Sequence, residues 1–242
     1  RSGRPPRGRR PEIDLAREAA YTAVAAVRTD DAYANLVLPT ILRELHLSGR
    51  DAALATELTY GTLRMTGTLD AVIASAAGRP VDRIDPPVLD ALRLGVYQLL
   101  CTRVPPHAAT ATTVDMVRLL QPGASGFANA VLRRAGERDL AQWLTDLAPA
   151  YDADPVGNLA LVHAHPEWIV RAFADALGGS GRPEVLAVTG PALAADNTPA
   201  QVVLCARPGR VGQLELADEV GGVPGRFGRY SVVLPGGAPG NL

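Results

Sequence analysis

The sequence predicts a mainly α protein: an all-helical bundle over residues 12–147, then a small α+β subdomain over residues 148–242. Two observations carry the helical part. Apolar residues recur at three- and four-residue steps, and Gly-, Pro- and Asp-rich stretches punctuate them at intervals suited to short connections between helices. A third marks the change of class. At residues 201–206 the helical period gives way to a β-branched run, QVVLCA.

Residues 1–10 hold five arginines and no acid, set among Ser, Gly and Pro, a composition that cannot build a core. Residues 1–11 are expected to be a disordered basic arm, either a solubilising tail or an arm that adds salt-dependent affinity for RNA. Leu15, Ala19, Ala23 and Val27 then line a first helix ending near Arg28. Asp30 and Asp31 open a second, with Leu36, Ile41, Leu42 and Leu45 as its apolar positions. Ser48 is a candidate N-cap for a long third helix, on which Leu54, Leu58, Met65, Leu69, Val72, Ile73 and Ala76 recur until Gly78. A Pro- and Asp-rich loop over 78–87 leads to a fourth helix over 88–102. Pro105 and Pro106 begin a fifth, Pro122 and Gly123 end it, and a sixth is expected to run to about Leu144. Short helices follow over 157–163, 167–177 and 183–195, and then a strand (201–206), a helix (212–220) and a strand (230–234). That last unit has little core of its own.

Composition narrows the function classes. Hydrophobic content of 47% with 20% charged residues is globular, and aromatics at 5% are too few for a base-stacking platform. All 24 basic residues are arginine, yet the net charge is −1. Residues 11–150 carry 13 arginines against 16 acids, and residues 151–242 six against nine. The body is near neutral, which excludes a uniformly basic RNA-coating protein and leaves room for a local patch. Cys101 and Cys205 lie far apart without metal-ligand spacing, as in a reduced compartment. No apolar run approaches a membrane span, and no signal core follows the arginine-rich start, so a cytoplasmic protein without a membrane partner is expected.

No catalytic constellation is present. The sequence contains no GxSxG, P-loop or HExxH, and its glycine runs do not follow a strand and open a helix. His163 and His165, two apart, are poorly spaced for a metal pair, and neither cysteine has an adjacent base. No catalytic, cofactor-binding or metal-ligating residue is assigned.

The most informative stretch is GASGFANAVLRR (123–134), a Gly/Ser turn opening a helix. A helix entry leaves N–H groups unpaired and gathers partial positive charge, so it suits a phosphate. Asn129 and Arg133 are four apart and share a face, bringing an amide and a guanidinium together. By itself the pattern fits better an ordinary amphipathic helix with Phe127, Val131 and Leu132 inward and its arginines solvated, because such faces are common.

Several stretches together resemble one family. ELTYGTLR (57–64), LRLGVYQLL (92–100), PPHAATATTVDMVR (105–118) and GFANAVLRR (126–134) resemble the NusB-like RNA-binding domain. Their form is similar to the one at the front of the Sun/Fmu-type RNA (cytosine-5)-methyltransferases, which modify small-subunit ribosomal RNA. HPEWIVRAF (165–173) and ADNTPAQVVLCARPG (195–209) are similar to the segment that links that domain to a catalytic one. The usual Val-Asn-Ala of the family is Ala128–Asn129–Ala130 here, which keeps the asparagine. The resemblance implies an RNA-recognition module followed by a linker, with the S-adenosylmethionine-binding catalytic domain outside these residues. The family's paired catalytic cysteines, one in a Pro-Cys motif, have no counterpart in Cys101 or Cys205. Asn129, Arg133 and Arg134 are the implied RNA contacts, with Arg64 and the arm residues Arg7, Arg9 and Arg10 as further candidates. Tyr60 and Gly61 are expected to allow close helix packing, Tyr97 to be core, and His107 to cap its helix. The alternative is a NusB-type adaptor in transcription antitermination, which binds RNA and performs no chemistry. Replacing Arg133 and Arg134 together with alanine is expected to flatten the salt dependence of RNA binding, read from a titration at several ionic strengths.

Overall fold

The computed structural model describes residues 13–179, 181–198 and 200–235. Its first helix, α1 (Leu15–Asp30), starts where the Asp14 carboxylate accepts the Arg17 backbone N–H, and ends at Asp31 in the left-handed region. Its buried face, Ala16, Ala19, Ala20, Ala23 and Val24, is nearly all alanine, which lets neighbouring helices approach closely. The second, α2 (Ala34–Glu44), begins later than the aspartates suggest, because Asp30 and Asp31 terminate α1 instead.

The long third helix of the sequence reading is two, α3 (Gly49–Arg64) and α4 (Thr66–Ala77). The break falls at Met65, with φ −94° and ψ 10°, and beside it the Thr66 hydroxyl donates to the carbonyls of Thr62 and Leu63, at 3.1 and 2.9 Å. Apolar spacing runs on through Met65, so periodicity could not reveal the break. Ser48 does stand at the N-cap of α3, but its side chain makes no capping bond. A single 3-10 turn, Val81–Arg83, interrupts the expected loop before α5 (Pro86–Cys101).

The core is organised on α5, which packs against α1, α3 and α4. Ten of its residues are buried, among them Leu92, Leu94, Val96 and Tyr97. Two further helices lie against it, α6 (Pro106–Leu120) and α7 (Ser125–Ala135). Proline in the first turn of α5 and of α6 suits positions where a backbone donor would be unused.

The sixth helix of the sequence reading also divides, into α7 and α8 (Leu140–Leu147). Asp139 and Gln142 form a reciprocal capping box that restarts the chain, and the Trp143 indole N–H donates to the Ala135 carbonyl at 2.9 Å. Three helices follow: α9 (Pro155–Val162), α10 (Glu167–Ala176) and α11 (Pro183–Asp196). The Thr68 hydroxyl donates to the Leu161 carbonyl at 2.8 Å, tying α4 to α9.

Two compact units result, one through Gly190 and one from Pro191, so the division falls inside α11. The second unit holds β1 (Val203–Cys205), α12 (Gln213–Glu219), β2 (Val223–Pro224) and β3 (Ser231–Val233). Its antiparallel sheet has the order β1-β3-β2, with Val203 and Val223 both opposite Val233. The strand–helix–strand expectation holds, with β2 added. A two-residue strand beside Gly221 and Gly222 shows no alternation to read.

Close approach of α3 and α5 depends on Gly61. A Cβ there would lie 2.0 Å from the Tyr97 ring, and Tyr97 is itself 5% exposed with its hydroxyl donating to Glu57 at 2.5 Å. The ring has no open side to turn to. Gly61→Ala is expected to destabilise the fold by about 1–3 kcal/mol through overpacking, measured by urea denaturation.

Candidate nucleic-acid interface

Packing of α6 and α7 on α5 leaves a cleft of ≈ 580 Å³ on the bundle surface. Leu99, Val114 and Leu132 supply its apolar lining, and His107, Asp115, Arg118, Asn129 and Arg133 its polar groups. The helices meet closely here because residue 95 is glycine. A Cβ at Gly95 would lie 2.7 Å from Thr113 Cγ2 and 2.8 Å from Leu132 Cδ2.

Asn129 and Arg133 are both exposed and line this one cleft, as their spacing implied. Arg118 faces it from α6 but is engaged by Asp115 in an ion pair three residues away on the same helix. Arg133 makes no ion pair among the described residues, so its guanidinium remains available to an anion. His107 does not cap its helix: the entry of α6 has no side-chain capping bond, and the imidazole lies in the cleft. The sequence reading missed Arg118, although His107, Ala111, Val114 and Arg118 fall on one helical face, a signal that was present.

Other candidates lie elsewhere. Arg134 Nη1 donates to the Ala76 carbonyl at 3.0 Å, satisfying an acceptor in the last turn of α4. Arg64 borders a separate, largely apolar recess of ≈ 520 Å³ with Leu63, Gly67, Leu161 and His165. Arg7, Arg9 and Arg10 lie outside the described residues. The entry of α7 carries no side-chain cap, and Ser125 donates its hydroxyl back to the Pro122 carbonyl at 3.0 Å.

Nothing in the titrating groups resembles an activated nucleophile. Burial, reinforced by the Glu57 carboxylate, pushes the Cys101 thiol up to about 11, and its sulfur lies 3.6 Å from Met65 Sδ. Cys205 is exposed on a strand. Burial, and then the charge of His165, hold His163 below its ordinary value, and His165 Nδ1 sits 2.6 Å from the His163 carbonyl. Among the described residues no group of three or more His, Cys, Asp or Glu side chains is placed to hold a metal ion. No helix among them is long and apolar enough to cross a membrane.

A family model for the NusB family matches residues 14–137, which span α1 to α7. The chain belongs to the NusB family. Its similarity to known proteins extends further than that domain. It is 51% identical over 236 residues to Rv1407 of Mycobacterium tuberculosis (strain ATCC 25618 / H37Rv), a protein with a provisional methyltransferase name, covering 97% of this chain and 50% of that protein. It is 39% identical over 158 residues to Ribosomal RNA small subunit methyltransferase B of Pseudomonas syringae pv. tomato (strain ATCC BAA-871 / DC3000), covering 65% of this chain and 33% of that one. The chain thus spans about half the length, or less, of these curated relatives. The solved structure of PH0851 matches with a TM-score of 0.60 at 14% identity, over 94% of this chain and 50% of that one, which shows a shared fold. The resemblance to the Sun/Fmu-type proteins read from the motifs is borne out by the family and by the names of these relatives.

The raised Cys101 value has a direct chemical consequence. A thiol titrating near 11 is ionised to only about one part in a thousand at pH 8, and the thiolate is the reacting form. Alkylation of Cys101 by iodoacetamide at pH 8 is expected to be at least ~10-fold slower than that of Cys205 and to accelerate as pH rises towards 11, measured by peptide mass mapping.

Proposed function

We propose that this chain is the RNA-binding, substrate-recognition part of an S-adenosylmethionine-dependent methyltransferase acting on cytosine C5 of small-subunit ribosomal RNA. One observation carries the reading: the likeness to methyltransferases runs for 236 residues, through both compact units and far beyond the NusB match at 14–137. A free-standing adaptor needs only the bundle. In this reading residues 12–147 recognise RNA and residues 148–242 form a linker to a catalytic domain in polypeptide outside these 242 residues. The working compartment is then the cytoplasm, where ribosomal RNA is modified.

Asn129 and Arg133 are the central contacts. A guanidinium without an intramolecular partner and an amide one turn away suit phosphate and ribose oxygens, which fix the position of an RNA without reading its sequence. Arg118, already paired with Asp115, supplies a weaker contact at the same cleft. The arm residues Arg7, Arg9 and Arg10 add unspecific attraction to the backbone. Arg64 offers a contact at its own recess, and Arg134 acts chiefly on the fold through Ala76.

S-adenosylmethionine does not fit the residues present. Dinucleotide- and nucleoside-type cofactors of this kind bind at the carboxyl ends of parallel strands, beside a glycine-rich strand-to-helix turn. Among the described residues the sheet is a small antiparallel one of three strands. Methyl transfer is therefore routed through no side chain among the described residues.

Fluorescence polarisation with a small-subunit ribosomal RNA fragment, titrated at several salt concentrations, tests the reading. Arg133→Ala is expected to reduce the slope of log K against log salt by about 0.7–0.9. Arg134→Ala is expected to leave the slope alone and to cost about 0.5–1.5 kcal/mol of stability through the lost bond to Ala76. An Arg133→Ala protein with unchanged affinity and slope would remove the cleft from the RNA path.

A further inference from the structure

A third recess, of ≈ 330 Å³, lies beside the first turn of α7, where the end of α4 meets the start of α5. Arg79, Arg83, Asp85, Gln121 and Phe127 are among its lining residues. It opens on the opposite side of α7 from the Asn129–Arg133 cleft, because Phe127 is two residues before Asn129 on the helix and faces the other way.

The two arginines are prepared for an external anion in different ways. The Arg79 guanidinium carbon sits 4.0 Å from the centroid of the Phe127 ring. At that distance the ring face holds the cation without accepting its N–H donors, and the Arg79 side chain makes no hydrogen bond or ion pair among the described residues. Arg83, on the 3-10 turn before α5, is exposed, and its side chain makes no hydrogen bond or ion pair among the described residues. Asp85 is the carboxylate among the lining residues, and it forms an ion pair with neither arginine. The recess therefore keeps net positive charge, with Gln121 adding an amide donor at its edge. A stacked guanidinium beside a mobile-stemmed one is suited to the non-bridging oxygens of a phosphate.

We propose that Arg79 and Arg83 form a second phosphate-binding site, occupied by a backbone phosphate of the same bound RNA. The proposal rests on the RNA-binding reading above. An RNA strand engaging both sides of α7 would be held at two separated points, which orients it as well as tethering it.

The experiment compares salt-dependent RNA binding of the whole 242-residue chain with that of Arg83→Ala and Arg79→Ala/Arg83→Ala. NMR of the arginine Nε–H groups accompanies it, with either the ribo-oligonucleotide or inorganic phosphate added at equal phosphate concentration. Expected are a slope reduced by about 0.7–0.9 for Arg83→Ala and about twice that for the double variant. The Arg79 and Arg83 resonances should shift with the oligonucleotide and not with phosphate. The Arg83 side chain has no partner to lose among the described residues, so its variant reports on binding even if loss of the Arg79–Phe127 contact weakens the fold. Equal shifts with inorganic phosphate would make this a free-anion site and overturn RNA as its source. An unchanged slope in Arg83→Ala and in the double variant, alongside a reduced slope in Arg133→Ala, would overturn this site and leave the RNA-binding reading standing. No RNA binding by the wild-type chain would overturn both.

Discussion

A single buried carboxylate holds the bundle in register. Asp90, on α5, has no solvent exposure, and it accepts from Arg28 Nε of α1 at 2.6 Å and from Arg93 Nη1 at 3.2 Å. Arg93 in turn grips Asp70 of α4 through two bonds of 2.7 Å. Burial opposes the charge of Arg93, yet its bonds to Asp70 and Asp90 hold the guanidinium above its ordinary value. A charge removed from water costs several kcal/mol, and losing one partner of such a cluster typically costs about 3–5 kcal/mol. Other pairings of these helices would take Arg28 from Asp90 and Asp70 from Arg93, leaving Asp90 with only its neighbour on α5. The network thus selects one arrangement of α1, α4 and α5 among the many that would satisfy their apolar faces.

With α5 fixed, the remaining helices are placed by how closely they can approach it. Gly61 admits the Tyr97 ring between α3 and α5, and Gly95 admits Thr113 and Leu132 from α6 and α7. The same close approach that buries Leu132 leaves Asn129 and Arg133 on the outer edge of the α6–α7 pair. The candidate RNA cleft is thus a by-product of tight packing. Its surface charge is set as much by pairing as by composition, since Asp115 offsets Arg118 while Arg133 forms no ion pair among the described residues.

This distribution explains how a nearly neutral protein can present an RNA-binding surface. Some of its arginines are matched by carboxylates, several of them within one helical turn, as in Arg17–Asp14, Arg118–Asp115 and Arg171–Glu167. Among those that form no ion pair within the described residues, Arg79, Arg83 and Arg133 line the two recesses that flank α7. Local charge excess, rather than net charge, is what a phosphate backbone meets within a Debye length.

The sequence by itself determined the class of the fold, its family, and most helix positions, because apolar periodicity and Pro/Gly punctuation are local properties. It also brought Asn129 and Arg133 together, since a spacing of four is a fact of helix geometry. The breaks at Met65 and at 136–139 were not read. At the first the apolar period continues unbroken, so local spacing does not show it; the second had a local signal, Asp139 and Gln142 at capping-box spacing. Only the tertiary structure decided the fate of adjacent arginines. Arg133 and Arg134 are identical in chemistry and neighbours in sequence, but a step of about 100° around α7 turns one to an open cleft and the other to the end of α4. Partners sixty or so residues apart, such as Arg134 with Ala76 and Arg28 with Asp90, leave no trace in local spacing, because nothing but the packing of whole helices brings them within reach.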